Sequence, residues 1–387
     1  MGGAPFSRSV AAESSGLGID KAALADLVER VEREIDAGHI PSAQIAFARD
    51  GKLVEWFGLG DAAPESRYTI FSSTKPVVAS VVWMLMGEGA IDVSLRVADL
   101  IPEFAENGKD AITIEQVLLH TSGFPRAPFA ARDWDDRDRR LARFAKWRCN
   151  WEPGTRYEYH ATSAHWVLAE LIERVTGSDF REVIRARVIE PLGLSGLELG
   201  VPVERQADIN TLVATGAPAT PDELEAVLGI REIPVGEVTT EALLDFNRPE
   251  VRAVGVPGGG GIATAADVAL FYQAVLHDPL GMWKPEVLTD VTSKVRNTFP
   301  DFLGVPANRT RGLVVKGDDE KAAVRGMGRT ISPRAFGHNG AGGQLAWGDP
   351  DTGVSFCFLT NGIDEHQLRQ ARRGSAISSR AGNCVIA

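Results

Sequence analysis

Apolar positions repeat at helical spacing near the start of the chain. Leu24, Leu27, Val28, Val31 and Ile35 form one stripe, preceded by Asp20 and followed by Gly38. With Asp20 as cap and Gly38 as stop, the pattern predicts a helix over about 20–37. The period then shortens. Two apolar-rich runs, 44–49 and 52–57, flank the dipeptide Asp50-Gly51 and predict a tight β-hairpin. From Val77 to Met86 the chain is almost continuously apolar, with no breaker before Gly87, so a helix buried on most sides is expected. Pro76 is tolerated only in a first turn, which places the start of that helix near Ser72. Thr113 and Gln116 have the spacing of a capping box for a short helix over 114–119. Amphipathic stripes predict further helices over 162–176 and 267–276, whereas 200–256, richer in Pro, Thr and Glu, reads as loops with short helices. Strand patterning returns at 344–347 and 354–360 around the turn residues 349–353, and a last helix is expected over about 365–379.

The order is helix–strand–strand, then a long helical middle, then strand–strand–helix. This is an α+β pattern and lacks the alternation of a doubly wound sheet. It predicts an antiparallel sheet flanked by N- and C-terminal helices, built from residues 1–70 and 311–387. Residues 71–310 would form a large inserted, mostly helical domain, with an active site between the two.

Composition narrows the function classes. The 387 residues are 44% hydrophobic and 24% charged, with a net charge of −11. That balance suits a soluble globular protein and argues against a nucleic-acid surface. Arg137, Arg139, Arg140 and Arg143 sit among aspartates and read as a solvated face. Cys149, Cys357 and Cys384 are odd in number and widely spaced, which fits reduced thiols in a cytoplasmic protein. Residues 1–18 carry no apolar segment of the signal-peptide kind, and no stretch is long enough to span a membrane. Oligomeric state is open.

Three segments carry candidate chemistry. Ser72 and Lys75 share a helical face at the mouth of the apolar helix, so their side chains can meet. Partial desolvation would keep the lysine amine neutral and able to take the serine proton. Alone, the pair also reads as a helix cap beside a chance lysine. Tyr159, in Tyr157-Glu158-Tyr159-His160-Ala161, precedes the 162–176 helix and could shuttle protons if a nearby lysine lowered its pKa; alone it reads as a packed tyrosine. The third is Phe336-Gly337-His338-Asn339-Gly340-Ala341-Gly342-Gly343, where glycines allow close approach of backbone to a ligand. It also reads as a plain Gly-rich strand entry with a solvated histidine.

In order and spacing these segments resemble the serine β-lactamase/penicillin-recognising superfamily, class C-like branch, and within it the family VIII carboxylesterases. Ser72-x-x-Lys75 matches the first motif, Tyr159-x-Ala161 stands at Tyr-x-Asn, and His338-Asn339-Gly340 stands at Lys-Thr-Gly. Residues 117–123, 151–155, 259–265 and 336–343 look alike as well, so the likeness covers roughly 20–365. The resemblance implies a β-lactamase-like fold and a covalent acyl-enzyme on Ser72, with Lys75 and Tyr159 as the proton-moving pair. It also implies an oxyanion hole from the N–H groups of Ser72 and Ala341, and His338 and Gly340 as substrate-binding residues. His120, in the turn His120-Thr121-Ser122-Gly123, looks structural. Two departures weaken a β-lactamase: Ala161 lacks the asparagine amide, and His338 is not a permanent cation.

Other signals fall away. Gly58-Leu59-Gly60-Asp61-Ala62-Ala63 follows a strand, but Pro64 replaces the helix a dinucleotide fold needs. Gly258–Gly261 lacks the Lys-Ser/Thr of a phosphate loop, and there is no Gly-x-Ser-x-Gly or His-Glu-x-x-His. No cofactor or metal is expected. The expected activity is hydrolysis of small-molecule carboxylic esters. Amide chemistry (β-lactamase or D-aminoacyl peptidase), acyl transfer to another acceptor, and non-catalytic ligand binding on the same fold are the alternatives.

Overall fold

The structure, a computed structural model, describes residues 18–385. The leader expectation for residues 1–18 thus falls almost wholly outside the described residues, as does the first part of the expected sheet domain. Helix α1 (Lys21–Asp36) starts where Asp20 Oδ1 accepts the N–H groups of Ala22 and Ala23, at 2.7 and 2.9 Å. Strands β1 (Ser42–Arg49) and β2 (Lys52–Gly60) follow. Their turn residues Asp50 and Gly51 both have positive φ, as a tight hairpin of the right twist requires. Helices α2 (Lys75–Gly87), α3 (Ser163–Thr176) and α4 (Ala265–His277) mark the middle. Strands β3 (Val314–Val315), β4 (Phe336–Gly337), β5 (Leu345–Asp349) and β6 (Val354–Thr360), then helix α5 (Gln367–Asn383), complete the frame.

One six-stranded antiparallel sheet runs β2-β1-β6-β5-β4-β3. The two ends of the chain meet in its centre, where β1 pairs with β6 from Ala43–Thr360 to Arg49–Val354. Side chains alternate across the pleat, and the two faces differ in size. Ile45, Phe47, Trp347, Phe356 and Phe358 pack with Leu27 and Val31 of α1 and Ile377 of α5. The opposite face presents Ala46, Ala48, Ala346, Gly348, Ser355 and Cys357, small enough for α4 to lie close. Ser355 Oγ donates to Ala269 O at 2.7 Å, and Gln273 Nε2 to Ala48 O at 2.9 Å. A Cβ on Gly348 would stand 3.2 Å from Leu276 Cδ1. Helix α4, which lies within the stretch that sequence order assigns to the helical insertion, thus packs on the sheet.

Most expected elements are present, with ends displaced by at most four residues. The capping box of Thr113 and Gln116 is formed on the helix Ile114–Leu118. Strands Tyr68–Thr69, Gly261–Ala263 and Glu198–Leu199 form a small second sheet too short for any pattern to announce. The arginine cluster is not a uniformly solvated face, which corrects that reading. Arg140 is buried and pairs with Glu173 at 2.9 Å, while Arg137 and Arg143 reach Glu170 and Asp133 at 2.7 and 2.8 Å. Acidic residues on α3 draw one edge of the Arg137–Lys146 helix inward.

A buried ion network ties α1, α5 and the strand Gly362–Asp364 together. Arg373 Nη1 donates to Asp364 Oδ2 at 2.9 Å and to Glu34 Oε2 at 3.3 Å. Burial alone would raise both carboxyl pKa values. For Asp364 the bonds from Arg369, the His366 N–H and Arg373, and for Glu34 those from Arg30 and His39, hold them below the ordinary carboxylate range instead. Arg373→Met is expected to cost about 3 kcal/mol in urea unfolding, the lower end for breaking a buried pair, because each carboxylate keeps another partner. The folded-state values are depressed, so the network's contribution is present above the ordinary carboxylate range and fades as pH falls through them. A wild-type-like midpoint for the variant at pH 7 would refute this account.

Candidate active site

A four-residue 3-10 turn, Phe71–Thr74, leads into α2 and carries Ser72. Phe71 has φ +44°, a sparsely populated region for a bulky side chain, held here by packing on Phe246 at 5.5 Å between ring centroids. The turn is pinned from both sides. Thr74 Oγ1 accepts the Gly261 N–H at 2.9 Å, and Ser73 Oγ donates to the His338 carbonyl at 2.9 Å. Lys75 opens α2 and is fully buried. Its Nζ lies 3.2 Å from Ser72 Oγ, 2.7 Å from the Ala161 carbonyl and 2.5 Å from the Gly258 carbonyl.

Tyr159 arrives from the segment before α3. Its hydroxyl donates to Ser72 Oγ at 2.8 Å, and its ring lies 5.0 Å below Lys75 Nζ. The segment is fixed by histidines. The His160 N–H donates to His120 Nδ1 at 3.2 Å, and His160 Nδ1 donates to the Glu158 carbonyl at 2.7 Å. That leaves His160 Nε2 to accept from the Phe124 N–H and Ser122 Oγ, both at 3.1 Å. The His120 ring packs on Tyr159 at 4.9 Å, in the structural place its turn motif suggests.

Three residues predicted from two separate motifs, Ser72 and Lys75 from one and Tyr159 from the other, are therefore brought within hydrogen-bond reach. Burial pushes the Lys75 amine well below its ordinary pKa, the Arg309 charge pushes the same way, and Glu237 opposes them. Burial pushes the Tyr159 phenol up to about 12, against the pull of Arg309 and of the bond to Ser72. The expectation that a lysine lowers the phenol is thus corrected. The resting tyrosine is a neutral acid, and the cation acting on it is Arg309.

His338 directly follows β4 and is nearly buried, at 6% exposure, so it is not the solvated histidine of the plain strand reading. Its N–H is shared between the Ala346 carbonyl at 3.2 Å and the Tyr272 hydroxyl at 3.0 Å. Nδ1 donates to the Asn339 carbonyl at 2.9 Å, so Nε2 is left as an acceptor and faces Arg309 Nη1 at 3.3 Å. Burial and then the Arg309 charge keep this imidazole neutral. Gly340 passes so close to the Ser72 turn that a Cβ there would stand 2.3 Å from the Ile70 carbonyl. Ala341 opens the turn Ala341–Gly343, and a Cβ on Gly342 would lie 3.5 Å from the Phe71 ring. Ser72 sits in the first turn of the Phe71–Thr74 helix, where N–H groups lack intrahelical partners, and Ala341 opens a kinked turn whose Gly342 has φ +73°.

Sequence reasoning missed two charges. Arg309 is 7% exposed, donates to Tyr157 Oη at 3.1 Å and stacks on the Tyr159 ring at 5.1 Å. Glu237, on an exposed loop, accepts from the Thr162 N–H at 3.1 Å. Neither lies in a motif, and both fall where the apolar pattern is weakest. Among the described residues no cluster of three or more His, Cys, Asp or Glu is arranged to hold a metal, and no helix is long and apolar enough to cross a membrane.

Residues 28–379 match the model of the Beta-lactamase family. The chain belongs to the β-lactamase family. Among its members, "Esterase/beta-lactamase LipL" of Mycobacterium tuberculosis is 30% identical over 352 residues, covering 82% of this chain and 76% of that protein. A penicillin-binding protein homolog from Caulobacter crescentus superposes with TM-score 0.79 at 25% identity, covering 95% and 99% of the two chains. A family VIII carboxylesterase superposes with TM-score 0.75, also at 25% identity, over 94% and 98%. The likeness carried by the three motifs and the β-lactamase-like α+β fold are both borne out. The chain is a β-lactamase-family protein whose similar structures and relatives include esterases.

Proposed function

We propose that this β-lactamase-family protein is a serine carboxylesterase that cleaves small-molecule esters through an acyl-enzyme on Ser72. One observation carries the reading: Ser72 Oγ stands 3.2 Å from a buried lysine amine and 2.8 Å from a buried phenol. A neutral amine has two N–H donors and one lone pair. The Ala161 and Gly258 carbonyls take the two donors, which leaves the lone pair for the Ser72 proton. Lys75 is accordingly the base and Tyr159 the acid. Ser72 Oγ attacks the ester carbonyl as its proton passes to Lys75. The N–H groups of Ser72 and Ala341 receive the oxyanion. Tyr159 gives its proton to the departing alcohol and regains one from Lys75. Water then enters and attacks the acyl carbon as its proton passes through Tyr159 to Lys75, the bond to Ser72 Oγ breaks, and Lys75 returns the proton to that oxygen as the acid leaves. His338 and Gly340 line the substrate's path, and the whole reaction needs no metal or cofactor.

Ala161, which cannot hydrogen-bond an amide side chain, favours esters over β-lactams and peptides. The test has two arms. A fluorophosphonate probe should add one phosphonyl group at Ser72, located by peptide mass spectrometry. Short-chain p-nitrophenyl esters should turn over faster than a chromogenic cephalosporin. No label at Ser72 removes the acyl-enzyme reading, and a cephalosporin rate above the ester rate replaces the esterase by a β-lactamase.

A further inference from the structure

Arg309 stands outside the machinery just described, yet it touches two of its members. Its backbone is pinned by bridges to Asn297 and Val314 beside the edge strand β3. Its guanidinium is nearly buried, and among the described residues no carboxylate forms an ion pair with it. A buried charge without a counter-charge is costly, and a fold that keeps one has a use for it. The contacts of Arg309 are instead a phenol (Tyr157 Oη, 3.1 Å), an imidazole (His338 Nε2, 3.3 Å) and the face of the Tyr159 ring, 5.1 Å away.

We infer that Arg309 is a positioning residue: its fixed charge, tethered to Tyr157 and His338 and stacked on Tyr159, keeps Lys75 unprotonated at neutral pH. The inference rests on the Ser72–Lys75 reading and adds to it the residue that sets its working pH. The groups acting on Lys75 come from every side of the site. Tyr159 lies under the amine from the segment before α3, and His165 stands on α3 itself. His338 comes from just after β4, His120 from the turn after Ile114–Leu118, Arg309 from beside β3 and Glu237 from the exposed loop. The three imidazoles are buried and driven well below their ordinary pKa, so they carry no charge at neutral pH. Two opposed charges remain. Glu237 favours the ammonium form, but burial pushes its own carboxyl pKa up and so disfavours its charged state. Arg309 favours the amine and has the larger effect of the two on Lys75. The same charge stabilises a Tyr159 phenolate, so removing it raises both pKa values.

The experiment is the pH profile of kcat/KM for a neutral p-nitrophenyl ester, together with the rate of Ser72 labelling by a neutral fluorophosphonate across the same pH range. In Arg309→Gln the acidic limb of both should move up by about one pH unit, the size expected of a single nearby charge, and activity should recover when the pH is raised. Arg309→Lys, which keeps the charge, should hold the limb near the wild-type position. Glu237→Gln, a surface change, should move it down. A limb unmoved in Arg309→Gln, or a loss equal at every pH, overturns the inference. So does a loss confined to esters that bear a carboxylate, which would make Arg309 a substrate contact. If Arg309→Gln does not fold, a displaced limb in Arg309→Lys overturns it. Failure of the wild-type protein to label at any pH would instead remove the Ser72–Lys75 reading.

Discussion

Lys75→Met is expected to lower kcat for ester hydrolysis as severely as Ser72→Ala, each on the order of 10⁴-fold or more, and the double variant no further than either. The equality follows from the geometry. An un-ionised serine hydroxyl is a poor nucleophile, and the only amine within hydrogen-bond distance of Ser72 among the described residues is that of Lys75, at 3.2 Å, whose pKa burial pushes well down. Removing the acceptor of the proton therefore removes the nucleophile in effect. Methionine matches the lysine stem in length and fills its buried volume, so the site should not collapse. It cannot donate to the Ala161 and Gly258 carbonyls. Leaving those two acceptors unpaired should cost about 2 kcal/mol of stability, measurable in urea. The pH profile supplies an independent check. Lys75 must be unprotonated to act, so wild-type kcat/KM should fall as pH drops through its depressed folded pKa. A Lys75→Met variant within tenfold of wild type would remove the lysine from the mechanism.

The frame of this protein was legible because its signals are local. Asp20 and Gly38 bracket α1, Asp50-Gly51 has the dihedral freedom a tight turn needs, and Thr113 with Gln116 closes its own capping box. The pairing of β1 with β6, three hundred residues on, followed from placing strands at both ends of the chain. What escaped was set by tertiary packing. Strands of two or three residues, such as Gly261–Ala263, exist because a neighbour is there to pair with. The arginines at 137–143 looked solvated because their partners Glu170 and Glu173 lie on a helix about thirty residues away in sequence.

The site divides along the same line. Ser72 and Lys75 meet because three residues make one helical turn, which the sequence states directly. Tyr159 reaches them from 87 residues away, and only the likeness to a known family joined it to them. Arg309 had no such help. It belongs to no motif, and nothing in its local sequence distinguishes it from any other arginine on this chain. Its importance arises from what surrounds it: two tyrosine rings, a neutral histidine and, among the described residues, no carboxylate paired with it. His338 was placed at the site by its motif, but its tautomer, with Nε2 turned toward Arg309, is a property of contacts alone.

Tyr159→Phe should separate substrates by their leaving groups. The phenol donates to Ser72 Oγ at 2.8 Å and, with its pKa pushed up to about 12, is protonated across the whole neutral range. It is therefore an acid at rest, suited to protonating an alkoxide as it departs. An alkyl ester such as ethyl butyrate expels a strongly basic alkoxide and needs that proton, so kcat/KM should fall by about 10³-fold. A p-nitrophenyl ester expels a stabilised phenolate that leaves unprotonated, so its kcat/KM, which reports acylation, should fall by no more than about tenfold. The alkaline side of the wild-type profile for alkyl esters should stay flat until pH approaches about 12, because only there does Tyr159 lose its proton. Phenylalanine keeps the ring under Lys75 and beside His120, so folding should be unaffected. Equal losses for the two esters would mean that the hydroxyl serves to hold Ser72 rather than to protonate the leaving group, and the proton would then have to reach the alcohol from Lys75 itself.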